Sequence, residues 1–286
     1  MKYLLILNPN AGSSHNFLKN IFDHFKGHLL EIKNTTAPKD ATKYAKAAKG
    51  KYDVVIAAGG DGTINEVVNG LAGSKKTKLG ILPLGTENVL AKELHVPLKP
   101  EEAIKRIIKG KSKKFDLGLA NKRYFTMVAG IGFDAQVAAD VPSDLKKLLG
   151  SYAYHLTAIR TFFTFIPSEM EIKLDNQKML RKGYMVVVGN IKRYGWILEL
   201  TKHAKAQDGY LDVCIFKNKD VFNTMKYLVS ATTTKNIPDL PNVEYFKVKQ
   251  LTVKSKKPVL AHVDCEVLGK TPIKIKVVPK ALEIIY

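Results

Sequence analysis

Five apolar residues, Val54-Val55-Ile56-Ala57-Ala58, run directly into Gly59-Gly60-Asp61-Gly62-Thr63, and this junction constrains the fold more than any other stretch of the chain. An apolar run of this length suits a strand buried on both faces. Three glycines let the backbone turn sharply and approach a ligand where a Cβ would collide. Beyond them Ile64, Val67, Val68 and Leu71 fall at i, i+3, i+4 and i+7, so a helix packs one face on the sheet. Thr63 and Glu66 have capping-box spacing, which predicts a helix over Ile64–Leu71. The free N–H groups of such a helix point out of the carboxyl edge of the sheet, where phosphates bind. Asp61 is an acid inside that loop and repels phosphate unless it serves a metal, which implies Mg²⁺. Taken alone, the segment also reads as a Gly-rich turn with an Asp cap. A second loop of the same build, Ile81-Leu82-Pro83-Leu84-Gly85-Thr86-Glu87-Asn88, favours nucleotide binding.

Strand and helix signals alternate through the first hundred or so residues. Strands are expected at Tyr3–Leu7, Leu29–Ile32, Asp53–Ala57 and Leu79–Leu82; helices at Asn16–Lys26, Pro38–Lys49, Ile64–Leu71, Glu87–Leu94 and Glu101–Lys109. Strands separated by single helices imply a parallel sheet covered on both faces. The pattern changes near Lys111. From there the β-type runs are Phe115–Leu119, Tyr124–Val128, Met170–Leu174, Tyr184–Val188, Leu211–Phe216, Tyr245–Val248, Leu251–Val253, Val259–Val263 and Ile273–Val277. Turn residues punctuate them, as in an antiparallel sandwich or barrel. Helices interrupt at Asp144–Phe165 and Val221–Ser230. The expected architecture is an α/β nucleotide-binding domain over residues 1–115, then a mainly β sandwich over 116–278. Leu148–Pro167, with Phe162, Phe163, Phe165 and Ile166, reads first as a core helix and second as a membrane-facing or lipid-tunnel element.

A net charge of +20 asks for a partner or for solvent. Basic residues cluster at Lys105, Arg106, Lys109, Lys111, Lys113 and Lys114, and again at Lys254, Lys256 and Lys257. An anionic membrane surface suits them, since each Lys or Arg near it is worth about 1 kcal/mol. A nucleic-acid binder would carry a recognition motif beside its charge, and none is found. No run approaches the length of a membrane-spanning helix, and the opening MKYLLILNPNAG lacks the layout of a signal peptide. Cys214 and Cys265 have no metal or disulfide spacing, which points to a cytoplasmic compartment. His155, His203 and His262 also lack metal spacing, and Trp196 reads first as a core residue and second as part of a lipid site.

The run Gly59-Gly60-Asp61-Gly62-Thr63-Ile64-Asn65-Glu66-Val67-Val68-Asn69-Gly70-Leu71 resembles the signature of the diacylglycerol kinase catalytic family, in its bacterial branch of lipid kinases. Pro83-Leu84-Gly85-Thr86-Glu87-Asn88 is similar to its second motif, and Asp116-Leu117-Gly118 with Gly130-Ile131-Gly132-Phe133-Asp134-Ala135 to its third. Asp208-Gly209 with Leu211-Asp212-Val213, and Val263-Asp264-Cys265-Glu266, resemble its last two blocks. The resemblance implies a phosphofructokinase- or NAD kinase-like first domain, a β-sandwich second domain, and a final strand, residues 279–286, that returns to the first.

It also implies an ATP-dependent kinase acting on a lipid hydroxyl, such as that of diacylglycerol, while peripherally bound to the cytoplasmic membrane surface. Asn8, Pro9, Asn10, Ala11, Gly12 and Thr35 resemble nucleotide contacts, joined by Gly59, Gly60, Asp61, Gly62, Thr63, Ile64, Asn65 and Thr86. Lys205, Asp208 and Tyr210 stand where the family holds a structural Mg²⁺, and Glu266 stands at its general base, on a strand placed at the cleft between the domains. Strand alternation puts His262, Asp264 and Glu266 on one face, with Val263, Cys265 and Val267 towards the core. Two positions depart from the family. Val89 replaces the Asp common after the Asn of the second motif, and Cys265 replaces the Gly between the last two acids. An NAD kinase would want an Asn-rich motif after the second loop, which is not found; a catalytically silent lipid-binding or regulatory protein of the same fold is the other alternative. A homodimer is compatible with the sequence.

Overall fold

A computed structural model describes residues 1–12, 21–142, 144–145, 152–193, 200–219 and 240–286. The chain divides into two compact units, Met1–Leu117 with Pro279–Tyr286, and Gly118–Val278.

In the first unit β1 (Lys2–Leu7), β2 (Leu29–Asn34), β3 (Val54–Gly59) and β4 (Lys78–Pro83) form a parallel sheet in the order β2-β1-β3-β4. Leu5 pairs with Ile32 on one side and Ile56 on the other, and Ile56 pairs onward with Gly80. β3 is buried at every position, as a central strand covered on both faces must be. The helices are α1 (Ile21–His24), α2 (Asp40–Ala48), α3 (Asp61–Leu71), α4 (Val89–Glu93) and α5 (Pro100–Lys109). α2 and α3 cross at Gly70, where an added Cβ would stand 2.6 Å from both Ala45 Cβ and Thr42 O. The carboxyl half of the long strand β16 (Ile273–Ile285) joins this unit, pairing Ile284 and Ile285 in parallel with Leu79 and Gly80.

The second unit holds β6 (Arg123–Phe125), β7 (Val128–Ile131), α6 (Phe133–Asp140), α7 (Tyr152–Thr164), β8 (Met170–Leu174), β9 (Leu180–Gly183), β10 (Met185–Gly189), β11 (Leu211–Phe216), β12 (Val243–Val248), β13 (Gln250–Ser255), β14 (Leu260–Val263) and β15 (Glu266–Lys270). β5 (Ser112–Ala120) carries the chain from one unit into the other. One antiparallel sheet runs β12-β11-β10-β7-β14-β15; in the other, β8 pairs with β9 and β13, and β13 with the start of β16. Alternate residues of both sheets share one core, with Val186, Val188, Val213 and Ile215 from the first and Ile172, Leu251, Val253 and Ile275 from the second.

Several local expectations are corrected. Helix α3 begins at Asp61 rather than Ile64, and no capping box forms. Glu66 turns away instead and accepts the N–H groups of Lys39 (2.9 Å) and Ala41 (3.1 Å), capping α2. The single strand expected over Tyr124–Val128 is divided, because the N–H groups of Thr126, Met127 and Val128 are drawn to one carboxylate, that of Asp264. The alternation expected through Glu266 is broken by a two-residue turn. Asp264 (φ 46°) and Cys265 (φ 63°) are both left-handed, so β14 and β15 make a hairpin of the type that needs positive φ at both central residues. His262 and Asp264 are consequently buried, whereas Cys265 and Val267 face out. The core helix expected near Leu148–Pro167 is, in its described part, a helix with an exposed apolar face. Val221–Ser230, Trp196 and the first five residues of the helix expected over Asn16–Lys26 lie outside the described residues.

Candidate active site

Four loops leave the carboxyl edge of the parallel sheet in one row. Those after β1 and β3 flank the point where the strand order reverses, since β1 leads outward to β2 while β3 lies on its other side; ligands of open α/β sheets bind at such points. Asn8 ties this row together. Its N–H donates to Ala58 O (2.9 Å), its Oδ1 accepts from Asn10 N (3.0 Å), and its Nδ2 reaches Thr63 Oγ1 at 3.3 Å. Ala11 N closes the turn on Asn8 O at 3.1 Å, and half-buried Pro9 and exposed Asn10 and Gly12 complete the loop. Thr35 hangs from β1 by an N–H to Leu7 O (2.8 Å). Asp40 braces that loop by accepting Thr36 N, Thr36 Oγ1 and Ala37 N, and these donors hold its carboxyl below the ordinary range.

The glycines of the first motif have separate physical reasons. A Cβ on Gly59 would stand 2.5 Å from Thr63 Oγ1, so the strand can end there only without a side chain. One on Gly85 would stand 2.4 Å from Gly60 Cα, so the two glycine loops meet backbone against backbone. Gly62 is exposed at the start of α3, whose first N–H groups have no carbonyl a turn earlier to bond. Ile64 and Asn65 play a different part. The Ile64 side chain is buried and its N–H bonds Gly60 O (3.1 Å), while Asn65 is buried and holds Asn69 Nδ2. Both brace the loop from within the helix.

Asp61 is engaged across the two loops. Its carboxylate accepts Val89 N (3.1 Å) and Leu90 N (3.2 Å), the first amides of α4. An acid in this loop is therefore useful without a cation, because it caps the neighbouring helix. Asn88, at φ 50°, closes the second loop by accepting Gly85 N (3.0 Å) and donating to Gly85 O (2.7 Å), which delays α4 to Val89 and leaves Thr86 exposed at the tip. Val89 itself is buried.

In the second unit the hairpin turn is built on charge. Asp264 accepts Thr126 N (2.8 Å), Thr126 Oγ1 (3.0 Å), Met127 N (3.0 Å) and Val128 N (3.0 Å). His262 accepts Cys265 N at Nδ1 (3.2 Å), which leaves Nε2–H to donate to Asp134 Oδ2 at 3.0 Å. Gly130 makes room for this pair: a Cβ there would lie 1.8 Å from Asp134 Oδ2 and 2.4 Å from His262 Nε2. Beside this frame Glu266, half-exposed, takes the guanidinium of Arg123. Sequence reading missed Arg123 and the His262–Asp134 pair, because no local spacing links residues so far apart.

The loop Lys205–Tyr210 is a turn closed on the Lys205 carbonyl, which accepts Gln207 N (2.7 Å) and Asp208 N (3.3 Å). Asp208 accepts Tyr210 N (3.0 Å) and pairs with Lys247 Nζ (2.7 Å). Carbonyls and one carboxylate are hard donors of the kind Mg²⁺ takes, and a cation here would displace the Lys247 ammonium. Nearby Asp212 is fully buried; Tyr245 donates to its Oδ1 (2.7 Å) but Oδ2 has no donor among the described residues, and burial raises its pKa. That orphaned oxygen marks a place where positive charge is favoured. Among the described residues no group of three or more His, Cys, Asp or Glu side chains is placed to hold a metal ion.

A parallel α/β sheet with paired glycine loops at its carboxyl edge, joined to an antiparallel sandwich, is the build of a nucleotide-using kinase. The diacylglycerol kinase catalytic domain family matches residues 2–120, and the YegS C-terminal NAD kinase beta sandwich-like domain family matches residues 127–286. The chain belongs to the diacylglycerol kinase family. It is 32% identical over 275 residues to a diacylglycerol kinase of Bacillus subtilis (strain 168), covering 94% of this chain and 90% of that protein. To a diacylglycerol kinase of Staphylococcus haemolyticus (strain JCSC1435) it is 33% identical, covering 98% and 86%. A crystal structure from Bacillus anthracis str. Sterne matches with a TM-score of 0.85 at 30% identity, covering 100% of this chain and 95% of that one.

Proposed function

We propose that this chain transfers the terminal phosphate of ATP to a hydroxyl of diacylglycerol or a related lipid at a membrane surface. The observation that carries the reading is the backbone contact of Gly60 with Gly85, which sets two helix-starting loops side by side on one sheet edge. Such paired loops suit a chain of phosphates, and the relatives named above supply the acceptor class.

Asn8, Pro9, Asn10, Ala11, Gly12 and Thr35 would border the nucleotide, with Gly59, Gly60, Gly62, Thr63 and Thr86 beside the phosphates. Asp61 would orient Mg²⁺, which supplies charge neutralisation at the phosphates when bound. Lys205, Asp208 and Tyr210 would hold a second, structural ion. Glu266 would accept the proton of the lipid hydroxyl as its oxygen forms a bond to the γ-phosphorus and the bond from that phosphorus to ADP breaks. Arg123 must release Glu266 for this, so the ion pair gates the base. The sandwich, residues 116–278, would present the lipid.

Radiolabelled ATP is incubated with purified protein, Mg²⁺ and a mixed lipid extract. Label in a chloroform-soluble product supports the reading, and label on added NAD overturns it. Label on neither leaves a silent lipid-binding protein, which Val89 in place of an acid beside Asp61 would favour.

A further inference from the structure

Helix α7 is built inside out. Its buried stripe is Ala153, Thr157 and Thr161, small residues at i, i+4 and i+8, and Thr161 Oγ1 donates to Asp140 Oδ2 of α6 at 3.1 Å. Three large apolar residues point the other way: Leu156 is 51% exposed, Ile159 57% and Phe163 80%, followed by Ile166 at 83% just beyond the helix. Isolated exposed apolar residues are ordinary, but a helix that buries threonine and presents leucine, isoleucine and phenylalanine is not explained by packing its own core. The stripe from Leu156 to Phe163 is about 10 Å long, and a helix with an apolar face of this kind can lie in the plane of a bilayer interface.

Charge identifies what covers it. Thr164, Phe165 and Ile166 line a cavity of about 350 Å³ together with Pro258, Val259 and Lys270. Exposed Lys254 near the end of β13 is followed by exposed Lys256 and Lys257 in the turn leading into Pro258, and Lys270 is exposed on the other side. An apolar face bordered by lysines matches acyl chains bordered by anionic headgroups. We infer that α7 is the element that docks this protein on a lipid bilayer, its outer face entering the acyl boundary while Lys254, Lys256, Lys257 and Lys270 meet anionic headgroups. The inference deepens the lipid-kinase reading by assigning its membrane contact to the sandwich unit rather than to the Lys105–Lys114 cluster.

Co-sedimentation is measured with vesicles of phosphatidylcholine alone and with added phosphatidylglycerol, for the parent, Ile159→Ser/Phe163→Ser and Lys256→Glu/Lys257→Glu. The serine variant should lose binding to both vesicles by about tenfold or more, and the glutamate variant only the gain from phosphatidylglycerol. Hydrogen exchange of the unmutated protein should slow across residues 152–166 when vesicles are added. Serine-variant binding equal to the parent, or unchanged exchange in that segment, overturns the docking role. If the serine changes instead turn a dimer into a monomer without lipid, a second copy is the occupant and the inference falls. Turnover of a short-chain diacylglycerol in detergent micelles tests the kinase reading separately, since its loss in the parent sinks that reading while sedimentation still decides the docking.

Discussion

The two acids of the hairpin turn have different surroundings and should fail differently. Asp264 is saturated by four donors and buried, so Asp264→Asn turns an amide group towards N–H donors and should cost about 1–3 kcal/mol of stability. Glu266 is half-exposed, so Glu266→Gln should melt with the parent while lipid phosphorylation falls by about 10²–10⁴-fold. Comparing thermal melts with turnover separates the two roles, and a Glu266→Gln variant with parental turnover moves the base elsewhere. Between them Cys265 occupies a left-handed position at φ 63°, which costs a residue with a side chain more than it costs glycine. Cys265→Gly should therefore raise stability by about 0.5–1 kcal/mol, read as a higher denaturant midpoint. Asp61 combines both kinds of role: Asp61→Asn should lose phosphoryl transfer at saturating Mg²⁺ and, through the weakened cap of α4, about 1 kcal/mol of stability. Retained transfer would leave Asp61 as a cap alone.

At the scale of elements, the alternating strands and helices of the first unit were legible because each depends on residues close in sequence. The Gly59–Thr63 junction and its copy at Gly85 were legible for the same reason. What escaped was set at long range. Neither β9 (Leu180–Gly183) nor the part of β15 (Glu266–Lys270) beyond Val267 was among the expected strands, since an edge strand needs little apolar sequence. The reversed face of α7 was misread because apolar residues at helical spacing say that a face exists, not which way it points. The end of β16 offers a test of an element held by charge. Glu283 accepts Ser112 Oγ and lies 3.2 Å from Lys78 Nζ, and these contacts, the Ser112 hydroxyl foremost, lower its carboxyl below the ordinary 4.5. A depressed folded-state carboxyl adds stability above its unfolded pKa and loses it as pH falls through the folded value. Glu283→Gln should thus be less stable than the parent at pH 7 and converge with it in acid below pH 4.5. Parallel melting curves across that range would count against the tether.

The whole molecule is closed by its last residues. Pro279–Tyr286 belong to the unit that contains the amino terminus, where Ala281, Leu282, Ile284 and Ile285 are buried and Gly73 N donates to Ala281 O at 2.8 Å. The α/β unit is therefore assembled from the two ends of the chain, and the sandwich from the stretch between. Burying a leucine or isoleucine side chain is worth about 1.5–3 kcal/mol, so losing Leu282, Ile284 and Ile285 removes roughly 4–9 kcal/mol. That is on the order of the entire stability of a domain. Ending the chain at Val278 should unfold the first unit, whereas the second keeps both sheets of its core, including β13 with the paired start of β16. Hydrogen exchange followed along the truncated chain would find β3 amides unprotected and β10 amides still slow. Full protection of β3 in that protein would mean that the parallel sheet stands without its returning strand, and that the ends of the chain are joined for some reason other than stability.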